Sequence, residues 1–141
     1  MDIDPNEPAP KPLDGERPKK ILLVEDDDAL ANVYITRLQA EGFEVKRVAD
    51  GEDALAVATS YHPSLVLLDV MMPKVNGFDV LDILRNTPET GSLKIIILTA
   101  LSQESDKQRA KALGVDDYLV KSQVVVGDVV NRIKYHLGMT T

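Results

Sequence analysis

The sequence predicts an α/β fold in which five parallel strands alternate with five helices, a (βα)5 arrangement in a single domain. Short continuous runs of Val, Ile and Leu recur at 21–24, 65–68 and 95–98, and such runs are typical of strands buried on both faces of a sheet. Stretches with helical spacing of apolar residues separate these runs. Strands joined by helices run parallel with right-handed crossovers, which gives a doubly wound sheet between two helix layers.

Strands and helices alternate from Lys19 onward. Most predicted helices begin at a residue whose side chain can accept a hydrogen bond from a backbone N–H of the first turn. The candidate caps are Asp27 or Asp28, Asp50, Asn76 and Ser102. The expected strands are about 20–25, 43–48, 65–69, 94–99 and 117–120, and the expected helices are about 28–41, 50–60, 77–86, 102–113 and 126–137.

The predicted elements differ in how much surface they can bury. The second strand contains Lys46 and Arg47, which suits an edge of the sheet. The fourth helix offers only Ala110, Ala112 and Leu113 as apolar anchors, so we expect it to have low local stability, either as an ordinary surface helix or as a mobile switch element. The other helices have fuller apolar stripes, which are Leu30, Val33, Tyr34 and Leu38 in the first, Leu81 and Leu84 in the third, and Val129, Val130, Ile133 and Leu137 in the last.

Composition excludes several classes of protein. At 141 residues and 44% hydrophobic residues, the chain suffices for one domain with a sizeable core. The net charge of −7 argues against a nucleic-acid-binding surface, and the absence of cysteine excludes disulfides and a thiol nucleophile. No apolar stretch approaches the roughly 20 residues of a membrane span, and the N-terminus lacks a signal-peptide pattern. We therefore expect a cytoplasmic protein without membrane or nucleic-acid partners.

Residues 1–18 differ from the rest of the chain. They contain five of the eight prolines, and their five acidic and two basic residues give a net charge of −3. Ile3 and Leu13 are the only large apolar residues, so this segment cannot bury enough surface to offset the entropy of ordering. We expect a disordered, proline-rich acidic N-terminal arm, a linker or a partner-docking segment, followed by one domain at 19–139.

Reactive polar residues follow four of the apolar runs. Glu25 and Asp26 follow ILLV at 21–24, Asp69 follows LVLL at 65–68, Thr99 follows IIIL at 95–98, and Lys121 follows YLV at 118–120. In doubly wound sheets the binding crevice lies at the carboxyl ends of the strands, so we expect these side chains to meet there.

The residue types at these strand ends favour phosphoryl transfer with a divalent cation. Clustered carboxylates raise each other's pKa unless a cation intervenes, and all-oxygen ligands suit Mg²⁺ or Mn²⁺ better than zinc. Asp69 is the expected nucleophile, which would form an aspartyl phosphate. Glu25 and Asp26 would hold the metal, while Lys121 and Thr99 would contact phosphate oxygens.

Four segments together resemble the receiver domain of two-component response regulators. They are ILLVEDD at 21–27, LVLLDVMMPKVNG at 65–77, IIILTA at 95–100 and GVDDYLVK at 114–121. The resemblance extends over about 19–138 with matching order and spacing. It implies a flavodoxin-like fold with strand order 2-1-3-4-5.

The resemblance also implies roles for residues at the strand ends. Asp69 matches the phospho-acceptor, and Glu25 and Asp26 match the acidic pair, with Asp26 as a direct metal ligand. Asp69 and the backbone carbonyl of Met71 would complete the protein ligands to Mg²⁺ or Mn²⁺.

A second group matches the phosphate-binding and switch positions of receivers. Thr99 and the following Ala100 match the switch hydroxyl segment, Lys121 the phosphate-binding lysine and Tyr118 the switch aromatic. Receivers usually have proline after this lysine, often with a cis bond, whereas this chain has Ser122, which leaves the local loop geometry open.

The resemblance implies protein partners rather than a catalytic product. A sensor histidine kinase or a histidine phosphotransfer protein would supply the phosphoryl group, and the surface of the fourth helix, fifth strand and fifth helix would bind a downstream target or form a homodimer. The chain would be a non-enzymatic signalling protein, either stand-alone or part of a longer protein.

Other functions of the same fold class remain alternatives. A haloacid-dehalogenase-type phosphatase needs a second Asp two residues after the nucleophile, where this chain has Met71. A nucleotide-binding domain needs a Gly-rich turn after the first strand, where this chain has EDDD. A receiver-like interaction module that is not phosphorylated is the remaining alternative.

Overall fold

The structure is a computed structural model that describes residues 17–139. Within these residues five strands and five α-helices alternate, as predicted. The strands are β1 (Lys20–Val24), β2 (Glu44–Val48), β3 (Leu65–Leu68), β4 (Lys94–Thr99) and β5 (Asp117–Val120). The helices are α1 (Asp28–Ala40), α2 (Gly51–Tyr61), α3 (Gly77–Asn86), α4 (Glu104–Ala112) and α5 (Val126–His136). Residues 1–16 of the arm predicted at 1–18 lie outside the described residues.

All five strands pair in parallel in the order β2-β1-β3-β4-β5, which confirms the implied topology. β2 therefore forms one edge of the sheet, as its Lys46 and Arg47 predicted, and β5 forms the other. Val24 lies beside Leu68 in the register of β1 and β3, so these two strands end level with each other. The residues that follow them are brought to one place at the carboxyl edge.

Two hydrophobic layers cover the two faces of the sheet. α1 and α5 pack on one face, and α2, α3 and α4 pack on the other. Burial of these continuous aliphatic strands on both sides is the main source of stability, at about 25 cal/mol per Å² of apolar surface. The central strand residues Leu22, Leu67 and Ile96 are almost wholly inaccessible to solvent.

Three of the predicted helix caps are confirmed and one is wrong. Asp27, Asp50 and Asn76 each accept a hydrogen bond from a backbone N–H in the first turn of their helices. Ser102 does not cap α4, because the chain enters the helix one residue later, at Gln103, whose side chain makes no capping bond.

Two predicted apolar anchors are also exposed. Val33 is 49% exposed, because α1 packs on the sheet through Ala31, Tyr34 and Leu38, a row that Val33 does not share. In α4 Ala112 is exposed as well. No helix within residues 17–139 combines the length and apolar character needed to cross a bilayer.

Candidate functional site

Three carboxylates meet at the carboxyl edge of the sheet. Glu25 and Asp26 directly follow β1, and Asp69 directly follows β3. Because β1 and β3 are neighbours that end in register, one oxygen from each side chain lies within 4.8 Å of the others. Glu25 and Asp69 are buried, at 3% and 5% exposure, whereas Asp26 faces solvent.

Lys121 connects the far side of the sheet to this acidic cluster. It is the first residue after β5, and its Nζ lies 2.7 Å from Oε1 of Glu25 and 2.8 Å from Oδ2 of Asp69. One ammonium group therefore contacts two of the three carboxylates. A negative charge remains in excess at the site, since a single lysine faces three acids.

Burial and pairing act in opposite directions on these groups. Burial raises the pKa of Glu25 above its ordinary value, and the hydrogen bond from Lys121 only partly offsets this effect. Burial would lower the pKa of Lys121, but hydrogen bonds to Asp69 and Glu25 outweigh burial and raise it. The lysine therefore stays protonated, while the cluster favours the binding of further positive charge.

The Asp69 carboxylate is held from two directions. Its Oδ2 accepts from Lys121, and its Oδ1 accepts a hydrogen bond from the backbone N–H of Met71 at 2.9 Å. Asp26, by contrast, makes no side-chain hydrogen bond to any residue in the range 17–139. The three acids thus offer clustered oxygen atoms of the kind that Mg²⁺ and Mn²⁺ prefer, and the residues present fit such an ion.

The predicted switch residues meet at the backbone of Leu101. Thr99 ends β4, is fully buried, and its Oγ1 accepts from the N–H of Leu101 at 3.4 Å, while the hydroxyl of Tyr118 donates to the carbonyl of Leu101 at 2.9 Å. Burial, with a contribution from Asp106, raises the pKa of Tyr118 to about 12, so its hydroxyl remains a donor. Ala100 is exposed between them.

The loop after Lys121 has ordinary backbone geometry. All peptide bonds of residues 17–139 are trans, including the bond between Lys121 and Ser122. Residues 121–123 form a single turn of 3₁₀-helix that leads toward α5. The absence of the usual proline is therefore compatible with Lys121 reaching the acids.

Arg47 also belongs to the surroundings of the site, although the sequence suggested only an edge position for it. Its Nε donates to the backbone carbonyl of Glu25 at 2.8 Å, and its Nη1 lies 2.8 Å from Oδ1 of Asp28. The available signal was a basic residue near the end of a strand predicted to run parallel to β1.

The fold and the acidic cluster define a domain of the receiver class. Residues 21–133 match the family model of the response regulator receiver domain. The chain belongs to this family, whose members are signalling domains of two-component systems.

Curated relatives agree with this assignment. The chain is 46% identical over 103 residues to the probable transcriptional regulator ycf27 of Cyanophora paradoxa, a match that covers 73% of this chain and 42% of the relative. It is 44% identical over 102 residues to the phosphate regulon transcriptional regulatory protein PhoB of Rhizobium meliloti, covering 72% and 45%. The chain thus spans less than half the length of these relatives.

Solved structures share the fold. A putative response regulator of Chloroflexus aurantiacus superposes with a TM-score of 0.81 at 34% identity, covering 86% of this chain and 99% of the other. The BeF3-activated receiver domain of RstA from Klebsiella pneumoniae has a TM-score of 0.76 at 28% identity, covering 84% and 98%. The Mn²⁺-bound response regulator Rcp1 has a TM-score of 0.77 at 29% identity, covering 88% and 98%.

Proposed function

We propose that this protein accepts a phosphoryl group on Asp69 from a histidine kinase or a histidine phosphotransfer protein, in a reaction that requires Mg²⁺ or Mn²⁺, in the cytoplasm. The proposal rests mainly on one observation, which is the Lys121 ammonium group lying between the buried carboxylates of Asp69 and Glu25. A phospho-acceptor needs such a neighbouring cation, because the incoming group adds roughly 1.5 to 2 negative charges.

The proposed cation ligands are Glu25, Asp26, Asp69 and the backbone carbonyl of Met71. A bound divalent ion would neutralise charge that develops on the phosphoryl oxygens. The hydrogen bonds within the cluster are compatible with this assignment, since Asp26 is exposed and its side chain makes no hydrogen bond within residues 17–139. The Mn²⁺-bound state named for Rcp1 is consistent with it.

Phosphoryl transfer would proceed from the Asp69 carboxylate. One of its oxygens attacks phosphorus, and the bond from phosphorus to the donor's histidine nitrogen breaks, so that the neutral imidazole leaves with the electron pair. The ammonium group of Lys121 and the hydroxyl of Thr99 would donate to phosphoryl oxygens, and Ala100 belongs to the same proposed binding segment. These groups stabilise charge without forming covalent bonds.

The proposed output is a change in the surface formed by α4, β5 and α5. Thr99 would turn its hydroxyl toward the phosphoryl group, which changes its contact with Leu101, and Tyr118 contacts the same backbone. Movement of this shared loop would be transmitted to α4. The changed surface would then bind a downstream protein or a second copy of the chain.

Acetyl phosphate with Mg²⁺ tests this proposal by intact-mass measurement. We expect a mass gain of one phosphoryl group in the wild type, no gain in Asp69→Ala, and no gain in the wild type with excess chelator. Asp82→Ala is a matched control, because Asp82 is an exposed aspartate on α3 away from the cluster and should be modified like the wild type. A wild type that gains no mass would contradict the proposal and favour a receiver-like module that is not phosphorylated.

A further inference from the structure

Arg47 joins the edge strand β2 to the loop that follows β1. Its Nε donates to the carbonyl of Glu25 at 2.8 Å, and its Nη1 donates to Oδ1 of Asp28 at 2.8 Å. Asp26 lies between these two anchor points in the chain. The planar guanidinium group therefore holds both sides of the residue expected to be a direct cation ligand.

The strand register places this side chain beneath the start of α1. Arg47 is paired with Leu23 in the parallel register of β1 and β2, so both side chains face the layer of α1 and α5. The Arg47 side chain is 23% exposed, and its Nη2 is buried without a hydrogen-bond partner within residues 17–139. The guanidinium group thus lies against the loop rather than in solvent.

Stabilisation of α1 alone does not account for this position. A cation at the N-terminus of a helix opposes the helix dipole, and Asp27 already caps α1 through its bond from Leu30. The Asp28 side chain is 86% exposed, so its ion pair with Arg47 contributes little to stability. The contact that remains is the one to the backbone of Glu25, a buried residue of the acidic cluster.

We infer that Arg47 is a positioning residue for the divalent cation, which holds the backbone of Glu25 in place so that the acidic side chains converge. This inference rests on the proposed function, because it concerns the same cation. The charge of Arg47 by itself repels a cation, so removing that charge alone would strengthen cation binding. Loss of positioning would weaken binding, so the two roles of Arg47 predict opposite results.

Mn²⁺ binding to the full chain, measured by electron paramagnetic resonance of the free ion, distinguishes these roles. We expect Arg47→Met to raise the Kd by about tenfold, as is typical when a residue that orients metal ligands is lost. Arg47→Lys keeps the charge but cannot span both anchor points, so we expect an intermediate loss. Lys46→Met removes an equal charge from the neighbouring exposed position and should leave the Kd within about twofold of the wild type.

Hydrogen exchange in the metal-free proteins gives a second readout. The amides of Glu25 and Asp27, which donate to the carbonyl of Val48 and to Oε2 of Glu25, should exchange faster in Arg47→Met than in the wild type or in Lys46→Met. Equal or tighter Mn²⁺ binding by Arg47→Met, with wild-type exchange, would overturn the positioning role alone. A wild type without saturable Mn²⁺ binding would contradict the proposed function itself. If Arg47→Met does not fold, Arg47→Lys decides by the same comparison: weaker binding supports the inference, and unchanged or tighter binding overturns it.

Discussion

α3 and α4 pack on the same face of the sheet but differ greatly in how firmly they are held. α3 buries five residues, including Phe78, Leu81 and Leu84, whereas α4 buries only Ala110. The acidic cluster is built on the firmly packed ends of β1 and β3, and the proposed output surface includes the thinly anchored α4. The contrast separates a rigid site, which keeps its geometry, from an element that can respond at low energetic cost.

The largest expected effect is on the firmly packed side. Leu84→Ala should lower the free energy of unfolding by about 2–5 kcal/mol, because it leaves a cavity under α3. Ala110→Gly should cost only about 1 kcal/mol, chiefly through helix propensity. Urea denaturation measures both values, and equal losses in the two variants would remove the basis of the contrast.

Removal of the ammonium group from the acidic cluster should come next in size. Lys121→Met leaves Glu25 and Asp69 buried without their cationic partner, so we expect a loss of about 3 kcal/mol in the metal-free protein. Saturating Mg²⁺ should restore part of this loss, since ligand binding stabilises the folded state. Lys107→Met on α4 is a control that changes a half-buried lysine outside the cluster. Similar melting temperatures of the two variants without Mg²⁺ would show that Lys121 does not balance buried charge.

The link between Tyr118 and the loop before α4 should have a smaller effect. Tyr118→Phe removes the hydroxyl that donates to the carbonyl of Leu101, which we expect to cost about 1 kcal/mol. Amides of α4 should then exchange faster, while phosphoryl acceptance by Asp69 should persist. Tyr135→Phe, at an exposed position of α5, is the matched control and should leave α4 exchange unchanged.

The smallest expected effect is the pH dependence of the ion cluster on β5 and α5. Burial would raise the pKa of Asp117, but hydrogen bonds from Arg132 and His136 outweigh it and lower the pKa. A lowered folded-state pKa stabilises the protein above the unfolded pKa of about 3.9, and this stability is lost as the pH falls through the folded value. The stability difference between wild type and Asp117→Asn should therefore shrink as the pH falls below about 4. A difference that keeps its full size well below that pH would contradict the assignment.

Most of the fold could be predicted from local features of the sequence. Continuous apolar runs identified the buried strands, and Asp27 and Asn76 identified helix starts, because these signals act within a few residues. Ser102 and Val33 were assigned wrongly because the start of α4 and the rotation of α1 depend on packing against the sheet. Local sequence does not specify either of these.

The site was predictable to the extent that it follows from topology. Glu25, Asp69 and Lys121 each stand directly after a strand, so a parallel sheet brings them to one edge. The bonds of Arg47 were not predictable, because they depend on the register of β2 against β1 and on the reach of a long side chain. The shared contact of Thr99 and Tyr118 with Leu101 likewise depends on the folded course of the loop after β4.

We expect charge added at Asp69 to change α4 while α3 stays unchanged. Hydrogen exchange with Mg²⁺ and beryllofluoride, a mimic of the phosphoryl group, measures this in the wild type and in Asp69→Ala. We predict altered exchange of amides in α4 and β5 of the wild type, unchanged exchange in α3, and no response in Asp69→Ala. An unresponsive α4 in the wild type, or an equal response in Asp69→Ala, would show that charge at Asp69 does not act on α4.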